Sequence, residues 1–285
     1  MSFLSYCLEK VGPLLNLTGL LSKESSNLIP HGSFREVAVK PIMIDVTDDD
    51  SKARITQKLL DYFRARMQLQ HENILPLLGF SDDFGQLPAM VSPWMHDGSL
   101  ITICSEQKWT IEHKFEILQQ VAAAISYLHS KDVVHGDLTA NNILIDSDGN
   151  ARVADYGILI MRSELSGTSY VGSINVRWAA PELFEALENK ESSTSPTPAS
   201  DIYSFGCLML QVMTGQQPYA DARNDDQVTD LIGKGKKPTR PLSPRIADCL
   251  WEVIDRCWND VERRPSADQV VGFLHEITLD KLSEK

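Results

Sequence analysis

The chain has 285 residues, of which 42% are apolar and 23% charged, enough for one large two-lobed domain or two small ones with a sizeable core. Its net charge of −12 reads as a solvated acidic surface and gives the protein no electrostatic reason to seek nucleic acid or anionic lipid. The five cysteines (Cys7, Cys104, Cys207, Cys249 and Cys257) show neither C-x-x-C pairing nor zinc spacing, so a reducing compartment is expected.

Near the start, Glu9 and Lys10 interrupt the apolar residues and no cleavage pattern follows, so no signal peptide is expected. No apolar run reaches spanning length, and neither end carries a lipidation signal. A cytoplasmic protein without membrane insertion follows. Residues 35–40 (R-E-V-A-V-K) read as a strand with Val37 and Val39 on one face, and residues 53–69 as a helix. Residues 74–80 and 89–91 read as short strands flanking a turn at Ser81-Asp82-Asp83-Phe84-Gly85. Phe115, Leu118, Ala122, Ile125 and Leu128 recur at three- and four-residue steps, predicting an amphipathic helix over 111–129. Residues 142–145 and 151–154 flank Asp146-Ser147-Asp148-Gly149-Asn150, a hairpin signal. Residues 192–200, polar and containing proline, predict a mobile surface loop. Residues 202–213 are apolar nearly all round and predict a helix buried in a large helical domain. A further amphipathic helix carries Ile246, Leu250, Val253, Ile254 and Trp258. A last one starts at Ser266, with Gln269 placed to close a capping box.

Three ordered motifs carry the chemistry: His135-Gly136-Asp137-Leu138-Thr139-Ala140-Asn141-Asn142, then Asp155-Tyr156-Gly157, then Ala180-Pro181-Glu182. Any one of them reads equally as turn residues. Together, in this order and with a strand–turn–strand between the first two, they resemble the catalytic loop, metal-binding loop and activation-segment end of eukaryotic protein kinases. Asp83-Phe84-Gly85 is a decoy, because it lies upstream of the catalytic loop between two short strands. The resemblance covers about residues 28–277. Trp178 and Cys257-Trp258 point to the tyrosine-kinase-like branch, and the short His-Gly-Asp loop is similar to kinases expanded in mushroom-forming fungi.

The resemblance implies an α+β, bilobal fold: an extension over 1–27, a small β-rich N-lobe over 28–93, and a larger helical C-lobe over 94–285. It implies ATP and Mg2+ as cofactors and a protein substrate or signalling partner, with oligomeric state open. Asp137 would accept or orient the hydroxyl proton, and Asn142 and Asp155 would supply oxygen ligands to magnesium. Lys40 would contact the α- and β-phosphates. Met90, Ser92 and Trp94 lie in the segment resembling the hinge, whose backbone would bind adenine. Asp201 would anchor the catalytic-loop backbone, and Glu182 would pair with Arg264.

The pattern departs from the family at four places. Only Gly32 stands near the expected glycine-rich loop, and the six residues between Ser33 and Lys40 make one strand, not a turn plus two. Either one strand is missing, or residues 20–23 and 28–30 form a substitute hairpin. Residues 51–71 contain no glutamate to pair with Lys40; Tyr62 falls at that position, with Asp61 beside it. Thr139 and Asn141 stand where the family carries a catalytic-loop cation. Gly136 replaces the arginine that reads a phosphorylated activation segment. Hydroxyls at Ser163, Ser166, Thr168, Ser169, Tyr170 and Ser173 read as ordinary solvated groups. Two functions therefore stay open: an ATP-dependent protein kinase, acting on serine or threonine, and a pseudokinase serving as a nucleotide-binding or scaffolding module. A shortened gene product with an unstable upper lobe is a third reading.

Overall fold

The computed structural model describes residues 36–46, 48–105, 109–184 and 195–283. The glycine-poor stretch, the substitute hairpin and the N-terminal extension lie outside the described residues. The chain divides into two units, one ending at Met95 and one beginning at His96.

In the first unit, β1 (Val37–Lys40), β2 (Gly79–Ser81) and β3 (Ala89–Pro93) form an antiparallel sheet in the order β1-β3-β2 among the described residues. The register sets Lys40 opposite Met90 and Val39 opposite Val91. Val39, Ala89 and Val91 bury one face of this sheet, with Phe84 packed against them. The Asp83-Phe84-Gly85 string is thus a turn that lends its ring to the sheet. Helix α1 (Asp49–Met67) starts where the Asp48 carboxylate accepts from Ser51 N at 2.7 Å. Asp49 and Asp50 in its first turn and Arg64 and Arg66 in its last complement the helix dipole. Ile55, Leu59 and Phe63, spaced by four, form its buried stripe. Of the strand expected over 74–80, Gly79 and Phe80 join the sheet and Ile74 makes a single bridge; residues 75–78 between them are irregular, although the Leu78 amide donates to Val91 O at 2.8 Å.

The second unit is helical around α3 (Ile111–Ser130) and α5 (Pro198–Thr214), after a short α2 (Leu100–Ser105). Thr110 caps α3 by accepting from His113 N at 3.2 Å. The hairpin β4 (Ile143–Ile145) and β5 (Ala151–Val153) pairs antiparallel and is pinned to α3 by Gln120. That side chain donates to Asn150 Oδ1 at 2.9 Å and accepts from Ala151 N at 2.7 Å. Helix α4 (Ile158–Ser166) follows directly.

Helix α5 is buried on nearly every side. Its start corrects the loop expected over 192–200. Thr197 and Ser200 form a reciprocal capping box with Pro198 at the first helical position, so the helix begins inside that polar stretch. Then come α6 (Asp225–Gly233), packed on the Val176–Trp178 turn, α7 (Asp248–Cys257), packed on α5, and α8 (Ala267–His275), packed on α3. Ser266 and Gln269 close the expected capping box on α8, but α8 is not the last helix, because α9 (Leu279–Ser283) follows. Burial pushes the Cys257 thiol up to about 12 and the Cys207 thiol higher still, so both act as small core hydrophobes. Among the described residues no helix is long and apolar enough to cross a membrane.

Candidate active site

The catalytic loop hangs from one carboxylate. Asp201, in the first turn of α5 and 1% exposed, accepts from His135 N at 2.8 Å and Gly136 N at 2.9 Å. His129 Nε2 lies 2.8 Å from the same carboxylate. Two backbone amides that no helix or strand satisfies therefore find an ionised acceptor, a charge-assisted bond about twice as strong as a neutral one. Gly136 takes φ of 77°, and a Cβ there would meet Ile160 of α4 at 2.9 Å. Glycine is required by both the conformation and the close approach.

Asp137 follows, with its carboxylate between two amides. Asn142 Nδ2 donates to Oδ2 at 3.0 Å and also to the Asp137 carbonyl at 2.7 Å. Asn175 Nδ2 donates to Oδ1 at 2.6 Å. Burial pushes the Asp137 carboxyl above its ordinary value; the bond from Asn175, the charge of His135 and the bond from Asn142 work downward, and the nearby Asp155 charge adds to the rise. A raised carboxyl suits a proton acceptor at neutral pH.

The hairpin delivers Asp155 beside this loop. Ala154 N donates to Asn142 O at 2.8 Å, and Gly157 N donates to His135 O at 2.8 Å. Asp155 takes φ of 61°, a left-handed conformation that aspartate tolerates better than bulkier residues. Tyr156 is buried, as a packing substitute for phenylalanine must be. Because Asn142 spends its amide nitrogen on Asp137, its carbonyl oxygen stays the acceptor end. Among the described residues no cluster of three or more His, Cys, Asp or Glu side chains assembles a metal site. One carboxylate and one carboxamide oxygen fit magnesium, which keeps most of its shell for water and phosphate.

The structure joins Asp137 to Asn142 directly, and Asn142 to the residue before Asp155. Lys40 and Met90 pair across the sheet of the first unit. Ser92 pairs with Ala38 on the β1 side, and Trp94 commits its amide to Glu36 O at 3.2 Å. On α1, Asp61 lies 3.1 Å from Arg64 and accepts from Gln57 at 3.1 Å, while Arg66 sits 4.4 Å over the Tyr62 ring.

Two residues of this region escape sequence reasoning. Asn175 reaches Asp137 across 38 positions, too far for any local periodicity to reveal. Tyr170, expected to be solvated, is only 4% exposed and donates its hydroxyl to Gly136 O. Burial and the charges of Asp137 and Asp201 push its phenol far up.

An aspartate held between two amides and tied to a hairpin that carries a second carboxylate thus stands where the three ordered motifs placed it. A family model described as protein tyrosine and serine/threonine kinase matches residues 24–274, and the chain belongs to that family. It is 28% identical over 240 residues to a RAF proto-oncogene serine/threonine-protein kinase from Xenopus laevis, an alignment covering 81% of this chain and 35% of the relative. It is 26% identical over 248 residues to serine/threonine-protein kinase STY46 from Arabidopsis thaliana, covering 85% of this chain and 40% of the relative. The chain thus spans well under half the length of these curated relatives.

Proposed function

We propose that the chain is an ATP-dependent protein kinase that phosphorylates serine or threonine hydroxyls of protein substrates in intracellular signalling. The observation that carries this reading is the Asp137 carboxylate, raised by burial and held by two neutral amides, hydrogen-bonded to Asn142 and one backbone bond from Asp155. Asp137 would take the proton of the substrate hydroxyl as its oxygen attacks the γ-phosphorus, and ADP would leave. Asn142 and Asp155 would hold magnesium, which when bound offsets the charge of the phosphate oxygens. Lys40 would contact the α- and β-phosphates, and backbone groups of Met90, Ser92 and Trp94 other than the Trp94 amide, which donates to Glu36 O, would hold adenine. The serine/threonine preference is supported by the names of both relatives. A place in the tyrosine-kinase-like branch rests on Trp178 and the Cys257-Trp258 pair.

The second reading is a nucleotide-binding or scaffolding module without transfer. It is favoured by α1, which offers no glutamate and places Asp61 beside Arg64. Thermal unfolding of the whole chain with millimolar ATP, with magnesium and then with EDTA, separates the readings. A ligand that binds only the folded state stabilises it by about 2.7 kcal/mol at a hundred times its Kd. The kinase reading expects a magnesium-dependent rise in Tm that Asp155→Ala abolishes, together with phosphate transfer that Asp137→Ala abolishes. A rise without transfer leaves the module; no rise at any ATP concentration sinks the kinase.

A further inference from the structure

One stretch of the second unit runs against the charge of the rest of the chain. Residues 231–247 hold Lys234, Lys236, Lys237, Arg240 and Arg245 and no carboxylate, in a protein of net charge −12. The stretch leads from the end of α6 to the residue before α7. Buried Pro238 and Ile246 bracket its second half, and residues 242–245 between them are exposed and belong to no helix or strand. Leu242 is 99% exposed, so the loop stands clear of the core where Ser243 follows it.

Two arginines flank Ser243 and share one carboxylate. Arg240 donates to Asp248 Oδ1 and to Ile246 O, the latter at 2.5 Å, and its guanidinium lies 5.4 Å over the Trp251 ring. Arg245 lies 3.6 Å from Asp248 Oδ2 and is 60% exposed. One negative charge therefore faces two positive ones, and of the two arginines Arg240 is the one fixed by further contacts among the described residues. A cavity of about 430 Å³ beside the loop is lined by a single carboxylate, Asp221, and a single cation, Arg240.

We propose that Ser243 is a phosphorylation site whose phosphate is held within the same loop by Arg245, with Arg240 as the fixed cation beside it. The modifying enzyme acts in trans: a serine/threonine protein kinase whose acidic substrate groove complements the cationic stretch and which reads the arginine three residues before the acceptor. Ser243 Oγ attacks the γ-phosphorus of ATP and the bond to the β–γ bridging oxygen breaks. ADP leaves with that electron pair, and the hydroxyl proton passes to a base of the modifying kinase. The phosphate brings a charge of about −1.5 to −2 and three acceptor oxygens. Arg245 stands two residues on, at most about 7 Å along the chain, a span its side chain covers. It gives up only an exposed ion pair, which is weak, to make a charge-assisted bond to phosphate. Asp248 keeps Arg240, so the start of α7 retains its partner. None of this depends on phosphotransfer by the chain itself.

The test incubates the whole 285-residue chain with ATP, magnesium and a kinase that selects arginine three residues before its acceptor. Intact mass and fragment spectra locate the phosphate. One phosphate on Ser243 is expected, absent in Ser243→Ala, whose Tm should match wild type within about 2 °C as for an exposed residue. A chain that takes up no phosphate, or takes it only elsewhere, overturns the proposal. Phosphorus NMR then titrates the modified chain, since phosphoserine has a second pKa of about 6. The Arg245 cation favours the dianion, so the midpoint should lie below that of the modified Arg245→Gln chain by roughly 0.2–0.7 of a unit, the range for an exposed pair. A wild-type midpoint equal to or above that of Arg245→Gln would leave a bare acceptor with no cation reading its phosphate, and would overturn the proposal as well.

Discussion

Burial works against charge on the Asp137 carboxyl, and that makes a residue-scale prediction. Burial raises its carboxyl above the ordinary 3.8, and the Asn175 amide, the His135 charge and the Asn142 amide offset only part of the rise. A group whose pKa is raised on folding contributes stability that is fully present below the unfolded value. That stability is lost as pH rises through the folded value. Asp137→Asn should therefore leave Tm unchanged or higher at pH 7 and should lose that advantage as pH falls below 3.8, where the wild-type side chain becomes protonated in both states. Transfer should drop about 10²–10⁴-fold, the range for a lost general base. Calorimetry across pH, paired with the transfer assay, checks both halves. A Tm lowered by several degrees at pH 7 would show that the carboxylate is structural. Gly136 completes the residue scale: with φ of 77° and the Ile160 side chain 2.9 Å from a notional Cβ, a side chain at the position that carries arginine elsewhere in the family would strain the backbone and displace Ile160.

The β4–β5 hairpin is the element that brings Asn142 and Asp155 together, and its turn is built on Asp146. Oδ1 accepts from Asp148 N at 3.0 Å and Asn150 N at 2.9 Å, and Oδ2 lies 2.8 Å from Arg152 Nη2. Burial works upward on this carboxyl, but the bonds from Asn150, Arg152 and Asp148 outweigh it and hold it below the ordinary value. A depressed pKa gives stability that is present above the unfolded value and lost as pH falls through the folded one. Asp146→Asn should cost about 1–3 kcal/mol at pH 7, and the cost should shrink below the ordinary 3.8. Urea unfolding at pH 7 and pH 3 measures this, and an equal cost at both would rule the charge out. The hairpin was legible because its turn residues and flanking apolar runs are contiguous. The long helix α3 was legible because five turns display a period, and α5 because residues 202–213 are apolar nearly all round. Helices α2, α4 and α6 span six to nine residues, too few turns to show one. At α5 the polar composition of residues 195–200 masked a Thr-Pro-x-Ser cap that was in plain view. The motif residues of the site were legible for the same reason as the hairpin. The Asn175 contact was not, because tertiary folding alone brings it to Asp137.

At the scale of the whole second unit, Arg264 joins three stretches of chain that are remote in sequence. Its guanidinium, 2% exposed, grips Glu182 with two nitrogens at 2.7 and 3.1 Å. It also donates to Ala199 O at 2.7 Å and to Asn259 O at 3.2 Å, and lies 5.3 Å over the Tyr203 ring. Ala199 sits in the same turn of α5 as Asp201, so this fork also steadies the anchor of the catalytic loop. A lysine ammonium is a point charge that cannot reproduce a planar fork. Arg264→Lys would leave one Glu182 oxygen and at least one buried carbonyl unmet, at about 2–4 kcal/mol. For a unit of this size that is roughly 4–16 °C in Tm. Salt separates this link from the surface pairs. Arg240 and Asp248 meet where the aspartate side chain is 66% exposed, so the stability lost in Asp248→Ala should fade in 0.5 M NaCl, where the Debye length is only a few ångströms. The loss in Arg264→Lys should largely persist there, because the guanidinium is 2% exposed and Glu182 only 19%. If salt erases it, the pair is acting as a surface charge, and packing on Tyr203 rather than the fork must hold the three stretches together.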